Sequence, residues 1–599
     1  MFFDISLLRR IFTFTAPYKR KLYASVLLAI ILALMSPLRP LLIQFTINHG
    51  LKENTNGNFI SGVGGFIIEI TLLQILLLLF ETVTRFCFTF FTASLGQSVV
   101  KDLRNNTYEK ILSLNLSQFD KTPIGTLTTR TVNDIESIND IFSDGLIPII
   151  ADLLSIISVL TYMLYTDWQL TLICLVPFPL LMVATYVFKE SVNKSFTMVR
   201  NAVANLNAFV QEHLTGIALI QTYAAEKGEE EKFTKINRQH LDANVKSIFA
   251  YSVFFPLVEL VSACSIGLCV WWAARQSFHM SLDDAQRIAG IITSFILCLS
   301  LLFRPLRVIA DKFNVLQMGM IASERVFKVL DNSDVAVYSD TNTMYPHSGL
   351  QKLKGEVYFN QVWFAYEKEN YVLQNISFHL QAGKTMAIVG HTGSGKTTII
   401  SLLNRLYQHQ KGTIKIDGIE IDRYDLNYLR SSISIVLQDV FLFSGSILDN
   451  VTLRNPAIKK EEVIEAAKMI GMHAYIMQLP GNYDYNVMER GATLSMGQRQ
   501  LLSFLRALLY NPSILVLDEA TSSIDSESET LIQQAIDKLI TGRTSLIIAH
   551  RLSTIRKADI ILVIDKGEIV ESGTHQELLG KKGAYYELYK SQFEKELSV

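Results

Sequence analysis

The chain has 599 residues, enough for several domains, and 49% of them are hydrophobic, with 34 phenylalanines. The formal net charge is −1, so no overall basic field favours nucleic acid as a partner. The five cysteines lie in apolar segments without paired metal-ligand spacing, which argues against a disulfide framework and against a cysteine metal site.

Apolar runs long enough to cross a bilayer occur only before about residue 310. A span needs about 20 apolar residues, because the hydrocarbon is ~30 Å thick and a helix rises ~1.5 Å per residue. An amphipathic helix on the inner membrane surface is predicted within residues 1–21. The predicted spans cover residues 22–47, 63–93, 141–165, 168–189, 248–274 and 286–306.

Two long polar stretches separate the second span from the third and the fourth span from the fifth. They are rich in basic residues, among them Lys101, Arg104, Arg200 and Lys235, whereas the short loops have almost none beyond Lys52. By the positive-inside rule, both long stretches and both chain termini are predicted to be cytoplasmic.

Several charged residues fall inside or beside the predicted spans. They are Arg39, Glu81, Arg85, Asp152, Glu259 and Arg304. One interpretation is local: Glu81 and Arg85, four residues apart on one helix face, pair with each other, while Arg39 and Arg304 extend to an interface. The other interpretation is a polar translocation cavity, because charges at membrane depth usually face a protein interior or water. The sequence leaves both open.

The second half of the chain has a different pattern, in which short β-branched strands alternate with helices. This pattern predicts a largely parallel sheet. An apolar strand at 386–389 runs into the glycine-rich segment 390–397 and then into a helix, which is the order of a P-loop. Backbone N–H groups of such a loop surround phosphate oxygens, Lys396 reaches the β and γ phosphates, and Thr397 ligates Mg²⁺.

A second apolar strand, in "SILVLDEATSSID", ends in Asp518 and Glu519. Adjacent acids at the end of a strand can cap the next helix. Beside a P-loop, one acid can instead take part in the Mg²⁺ shell while the next polarises water. The segment therefore favours a hydrolytic site.

With these residues the chain resembles the ATP-binding cassette (ABC) exporters, in the form in which six membrane spans precede one nucleotide-binding domain. The resemblance covers nearly the full length. It implies an α-helical six-span transmembrane domain of the type I ABC exporter fold, followed by an α/β P-loop NTPase domain. The expected boundaries are 1–330 for the transmembrane domain, 331–350 for a linker and 351–599 for the nucleotide-binding domain.

The resemblance also implies roles for further residues. Tyr366 matches the aromatic residue that stacks on adenine, Gln438 the glutamine that contacts Mg²⁺ and attacking water, and His550 the histidine that contacts the γ-phosphate. Asp525 matches a loop that crosses the dimer interface, although the family more often has Ala or Gly near the middle of that loop. The expected catalytic residues are Glu519, His550, Gln438 and Lys396, and the expected Mg²⁺ ligands are Thr397, Gln438 and Asp518. The expected ATP-binding residues are Tyr366, Gly390, His391, Thr392, Gly393, Ser394, Gly395, Lys396, Thr397, Thr398, Ser495, Gly497, Gln498 and Asp525.

The segment "LSMGQ", residues 494–498, resembles the family signature, usually Leu-Ser-Gly-Gly-Gln. In the family this segment contacts the γ-phosphate on the P-loop of the other subunit, so one cassette per chain implies a homodimer or a heterodimer. Met496 replaces the first glycine. Either this position tolerates a side chain that points away from phosphate, or the chain is the heterodimer subunit that combines intact Glu519 and His550 with an altered signature. Segments 117–130 and 212–226 resemble the family's coupling helices.

The resemblance implies ATP-driven export or flipping of amphipathic or lipophilic substrates by alternating access, with multidrug export as the first choice and lipid flipping as the second. The implied cofactors are ATP and Mg²⁺. The implied partners are a second half-transporter subunit, membrane lipid and the substrate, and no nucleic acid. The alternative from another class is an ATP-dependent membrane regulator or sensor that transports nothing. The implied location is the bacterial inner membrane, with both termini and the ATPase domain in the cytoplasm.

Overall fold

The computed structural model describes residues 5–50, 63–277, 282–336, 352–367, 369–518, 526–549 and 552–593. The chain divides into two compact units. One, called the helical unit below, falls within residues 1–112 and 124–332. The other, called the sheet unit, falls within residues 113–123 and 333–599.

In the part of the chain that the structure describes, six helical segments are long and apolar enough to cross a membrane. They are Ala16–His49, Phe66–Ser113, Ile124–Thr166, Trp168–Thr215, Glu226–Gln276 and Arg287–Pro305. The prediction of six spans is therefore confirmed. Most of these segments are much longer than the ~20 residues that a bilayer requires, so their helices extend beyond the hydrocarbon.

The α-helices up to residue 330 have the following bounds: α1 Ile5–Thr13, α2 Lys19–Met35, α3 Leu38–Gly50, α4 Val63–Ser113, α5 Leu116–Lys121, α6 Ile124–Thr129, α7 Ile135–Asp140, α8 Leu146–Thr166, α9 Trp168–Leu175, α10 Phe178–Thr215, α11 Ile217–Thr222, α12 Glu226–Ser277 and α13 Leu282–Leu330. Proline accounts for two of the breaks, because it has no N–H group to continue a helix. Pro37 lies between α2 and α3, and Pro177 lies between α9 and α10. The stacked rings of Phe188 and Phe254, 3.9 Å apart, belong to the core between α10 and α12.

The strands of the sheet unit are β1 Val357–Ala365, β2 Tyr371–Leu380, β3 Thr385–Val389, β4 Lys411–Ile416, β5 Ile419–Glu420, β6 Ile433–Val436, β7 Ile514–Asp518, β8 Thr544–Ile548, β9 Ile560–Asp565 and β10 Glu568–Gly573. Its further helices are α14 Lys396–Leu403, α15 Leu426–Ser432, α16 Ile447–Thr452, α17 Lys460–Ile470, α18 His473–Gln478, α19 Met496–Leu509, α20 Ser526–Ile540, α21 Leu552–Lys557, α22 His575–Lys581 and α23 Ala584–Phe593.

The described residues of this unit form two sheets. The strand orders are β2-β1-β4-β5, all antiparallel, and β10-β9-β3-β8-β7-β6, in which only β10 is antiparallel to its neighbour. Every residue of β3, β7 and β8 is buried, as expected for parallel strands covered on both faces. The carboxyl ends of β3 and β7 meet at the same edge of the sheet, which places the start of the glycine-rich loop near Asp518.

A short segment between the second and third spans belongs to the sheet unit, although chain order led the sequence analysis to count it with the transmembrane domain. Within residues 113–123, Leu114 forms an isolated β-bridge with Val335. The Asp334 carboxylate accepts hydrogen bonds from the side chains of Asn115, Ser117 and Gln118. These bonds hold the pKa of Asp334 below its ordinary value, and the bond from Asn115 has the largest effect.

We expect the Asp334→Ala variant to melt at a lower temperature than the wild type at pH 7. Because the folded pKa of Asp334 is lowered, its carboxylate stabilises the fold above the unfolded pKa of about 3.9. This contribution disappears as the pH falls through the folded pKa, so the difference in melting temperature should shrink in acid. Thermal unfolding of the full chain between pH 7 and pH 3 measures this difference in melting temperature. The control is Glu461→Ala, which removes an exposed acid of α17. A difference independent of pH would contradict the prediction.

Candidate functional site

A cavity of about 430 Å³ opens at the carboxyl edge of the parallel sheet, and we call it the P-loop cavity. It brings together most of the described residues that the sequence analysis expected to bind ATP or Mg²⁺. These are Tyr366, Thr392, Gly393, Gly395, Lys396, Thr397, Thr398, Gln438 and Asp518. Val372 and Ile548 complete the lining. Gly390, His391 and Ser394 lie in the same loop, between β3 and α14.

Close packing explains two glycines of the loop. A Cβ atom on Gly390 would lie 2.1 Å from the carbonyl oxygen of Ile564. Gly395 has φ +102°, and a Cβ atom there would lie 2.5 Å from the side chain of Leu373. Any other residue at these two positions would displace the loop, so the glycine spacing read from the sequence is also a steric requirement.

Lys396 is the first residue of α14 and is buried. Its Nζ donates to the carbonyl oxygens of Gly390 and His391, both at 2.8 Å. Burial lowers the pKa of Lys396, whereas the nearby Asp518 carboxylate opposes that shift. A cation inside a loop of this shape suits a phosphate ligand, whose charge would stabilise the ammonium form.

Two further observations show that the cavity fits a nucleotide phosphate with Mg²⁺. The Ser394 hydroxyl is buried and has no hydrogen-bond partner among the described residues, so a phosphate oxygen would satisfy it. The Thr397 hydroxyl donates to Asp518 Oδ2 at 3.5 Å, and Gln438 lines the same cavity. Hydroxyl, carboxylate and amide oxygens are the ligands that Mg²⁺ prefers.

Tyr366 lies just after β1, with 45% of the residue exposed. Its hydroxyl is 3.1 Å from Thr398 Oγ1, and its ring is edge-on to Tyr407, with the centroids 5.1 Å apart. The Tyr407 hydroxyl in turn donates to the carboxylate of Asp120, in α5. Tyr407 was not among the residues expected from the sequence, because its contact with Tyr366 joins the end of one strand to a loop about 40 residues later.

The signature-like segment begins α19. Ser495 caps this helix: its Oγ accepts from the backbone N–H of Gln498, and its own N–H donates to Gln498 Oε1 at 2.8 Å. None of the residues 495–498 is among the described residues that line the P-loop cavity. Met496, 39% exposed, lines a separate cavity of about 270 Å³ together with Gln438. It adopts ordinary helical backbone at the start of α19, so the fold does not require glycine there.

Three expected site residues lie outside the described residues. They are Glu519, Asp525 and His550. Their roles as water-activating acid, interface residue and γ-phosphate contact remain predictions. In the helical unit, the expected pair of Glu81 and Arg85 is confirmed, with the two side chains 2.9 Å apart.

Comparison with protein families assigns both halves of the chain. Residues 22–306 match the family described as the ABC transporter transmembrane region, and residues 373–522 match the family described as ABC transporter. An uncharacterized ABC transporter ATP-binding protein of Bacillus subtilis is 38% identical over 83% of this chain and 81% of its own length.

Two further relatives have names that state a cargo. An ATP-dependent lipid A-core flippase of Syntrophus aciditrophicus is 35% identical over 84% of this chain and 82% of its own length. A Staphylococcus aureus ATP-binding/permease protein, for which multidrug export is proposed, is 34% identical over 98% of this chain and 100% of its own length.

Proposed function

The chain belongs to the ABC transporter family, and from this premise we propose that it is a half-transporter that exports amphipathic or lipophilic compounds. Family membership makes it an integral membrane protein that binds and hydrolyses ATP to drive transport. One observation carries the proposal: Lys396, Thr397 and Asp518 converge in a single cavity, in the same chain as six membrane-spanning segments.

In the proposed reaction the residues of the P-loop cavity bind and orient ATP. Lys396 and the loop N–H groups contact the phosphates, while Tyr366 stacks on the adenine. Thr397, Asp518 and Gln438 would hold Mg²⁺, which supplies charge neutralisation at the phosphates when bound. Glu519 orients or deprotonates the attacking water, and His550 contacts the γ-phosphate. ATP binding shifts the conformational equilibrium only through its higher affinity for the closed state.

A dimer completes each site in this proposal. Ser495, Gly497 and Gln498 do not line the P-loop cavity of their own chain, which supports a site that receives them from a partner subunit. We favour a homodimer, because Met496 is a half-exposed helical residue that needs no special backbone conformation. The heterodimer with one weakened site is the second candidate.

Coupling between ATP hydrolysis and transport would involve α11 and the residue that follows it, where the side chains of Leu219 and Tyr223 are exposed.

Multidrug export remains the first choice of cargo and lipid flipping the second, because relatives with both kinds of name cover most of this chain. We place the protein in the bacterial inner membrane, because the relatives named above come from bacteria. The distribution of basic residues between spans supports an orientation with both termini and the sheet unit in the cytoplasm. A membrane sensor that transports nothing is disfavoured, because its site would not need the hydrolytic residues Glu519 and His550.

The molar mass and the Mg²⁺-ATPase rate of this chain, expressed alone in lipid nanodiscs, test the proposal. We expect a dimer that hydrolyses ATP at about 1 per second or faster, with Glu519→Gln as the inactive control. ATP-dependent uptake of lipophilic compounds into inverted vesicles should accompany hydrolysis. A monomer, or a dimer that becomes active only with a second subunit, would favour the heterodimer. An ATPase without transport of any compound would favour the sensor.

A further inference from the structure

The helical unit contains an open cavity of about 520 Å³ with charged and apolar side chains in its lining, which we call the charged cavity. Its lining comes from α2, α3, α4, α8 and α13, which are far apart in the sequence. The charged residues that line it are Arg39, Glu81, Arg85, Asp152, Arg304 and Lys312. Five of the six charged residues that the sequence places inside or beside the spans thus share one cavity with Lys312, which lies beyond the last span.

The carboxylates of the cavity are already paired. Arg85 binds Glu81 at 2.9 Å, four residues apart on α4. Lys312 of α13 forms an ion pair with Asp152 of α8. Each pair has no net charge, so neither leaves a carboxylate to neutralise a further cation.

Arg39 and Arg304 are the remaining cations. Neither forms an ion pair or a hydrogen bond with any residue in the described part of the chain. Both belong to segments apolar enough to cross a membrane, Ala16–His49 and Arg287–Pro305. An uncompensated guanidinium in such a segment is unfavourable, and arginine cannot give up its proton to avoid that cost. The cavity therefore has two guanidinium groups that favour an incoming anion.

The rest of the lining suits an amphiphile. Leu32, Phe88 and Leu301 supply apolar surface. Ser36 and Ser155 add hydroxyl groups, and they hydrogen-bond to each other at 2.9 Å. Apolar walls beside convergent polar groups are typical of sites for small organic ligands.

We propose that the charged cavity is a binding site for the anionic head group of an amphiphilic substrate, in which Arg39 and Arg304 contact the anion. Guanidinium groups bind phosphate and carboxylate oxygens through paired N–H donors, which provides both affinity and orientation. The inference rests on the proposed function, because it assigns the anion as transported cargo. It narrows the substrate class from lipophilic compounds in general to amphiphilic anions, and it predicts that lipophilic cations bind weakly there.

Binding without ATP provides the first test. The probes are two lipids with identical acyl chains and the same fluorophore, phosphatidylglycerol, which is anionic, and ethylphosphatidylcholine, which is cationic. The purified full chain is titrated with each probe in neutral detergent micelles, and fluorescence anisotropy reports binding. We expect the wild type to bind the anionic probe at least about 10-fold more tightly than the cationic probe, since the guanidinium groups donate charge-assisted hydrogen bonds to the anion only. Equal binding of the two probes would overturn the proposal.

Variants then assign the contacts. We expect Arg39→Gln and Arg304→Gln each to weaken binding of the anionic probe by about 10-fold, and Arg39→Lys to weaken it less because the charge remains. Arg275→Gln is the matched control, because Arg275 lies beside Trp271 and does not line the charged cavity. Equal losses for Arg39→Gln and Arg275→Gln would overturn the proposal.

Competition and transport separate the remaining possibilities. Unlabelled phosphatidylglycerol should displace the probe, and inorganic phosphate at the same concentration should not. Equal displacement by both would mean that the cavity recognises free anions and would overturn the assignment to an amphiphile. If the anionic probe binds as expected but vesicles show no ATP-dependent transport of any compound, the proposed function fails while the anion site stands. If other amphiphiles are transported and the anionic probe does not bind, only the anion site fails.

Discussion

The Lys396→Ala variant is expected to lose ATP hydrolysis by about 10²-fold or more, the cost of removing one positioned donor to a developing charge. In the structure the ammonium group is buried and donates to two carbonyl oxygens of its own loop, at the position where the terminal phosphates would lie. Alanine removes both the charge and the support for the loop. The Mg²⁺-ATPase rate in nanodiscs measures the effect, and nucleotide binding should weaken in parallel.

Lys468→Ala is the matched control for this experiment. Lys468 lies on α17 in the same unit, and its exposed side chain pairs with Glu465. Its removal should leave the ATPase rate within about twofold of the wild-type rate, because exposed ion pairs contribute little to stability. A Lys396→Ala variant that hydrolyses ATP at the control rate would mean that the P-loop cavity is not the hydrolytic site.

Mixed dimers should recover activity that neither parent has. We expect Lys396→Ala chains to be inactive and Ser495→Ala chains to be inactive when each is expressed alone. In a mixed dimer with sites shared between subunits, one site has both substitutions and the other has none. Equal amounts of the two chains should then give about a quarter of the wild-type rate, because half of the dimers are mixed and one of their two sites is intact. If each site were built within one chain, mixing would restore nothing.

The Ser495→Ala chain needs its own control, because Ser495 also caps α19 and loss of a cap costs about 1 kcal/mol. Thr574→Ala removes the same type of cap, a reciprocal capping box, from α22. Thr574 itself lines neither the P-loop cavity nor the cavity beside Met496. Full activity in the Thr574→Ala dimer would assign the loss in the Ser495→Ala dimer to the phosphate contact rather than to helix stability.

Patterns within short stretches of sequence predicted much of this protein. Six apolar runs gave six spans, because the bilayer requires every span to be long and apolar regardless of its neighbours. The strand, glycine loop and helix around Lys396 were predicted from their order along the chain. The contacts that require glycine at positions 390 and 395 are tertiary, because they involve Ile564 and Leu373. The pair of Glu81 and Arg85 is one helical turn apart and needed no tertiary information.

The tertiary structure decided the contacts between residues that are distant in the chain. The sequence left open whether Arg39 and Arg304 extend to an interface or line a cavity, and the structure places both in the charged cavity with Asp152 and Lys312. Likewise, chain order did not predict that Asp334 would bind Asn115 across more than 200 residues. Side-chain periodicity determines which face of a helix is polar, whereas the packing of several helices determines which polar faces meet. The six spans and the P-loop therefore follow from sequence alone, but the charge balance of the charged cavity follows only from the fold.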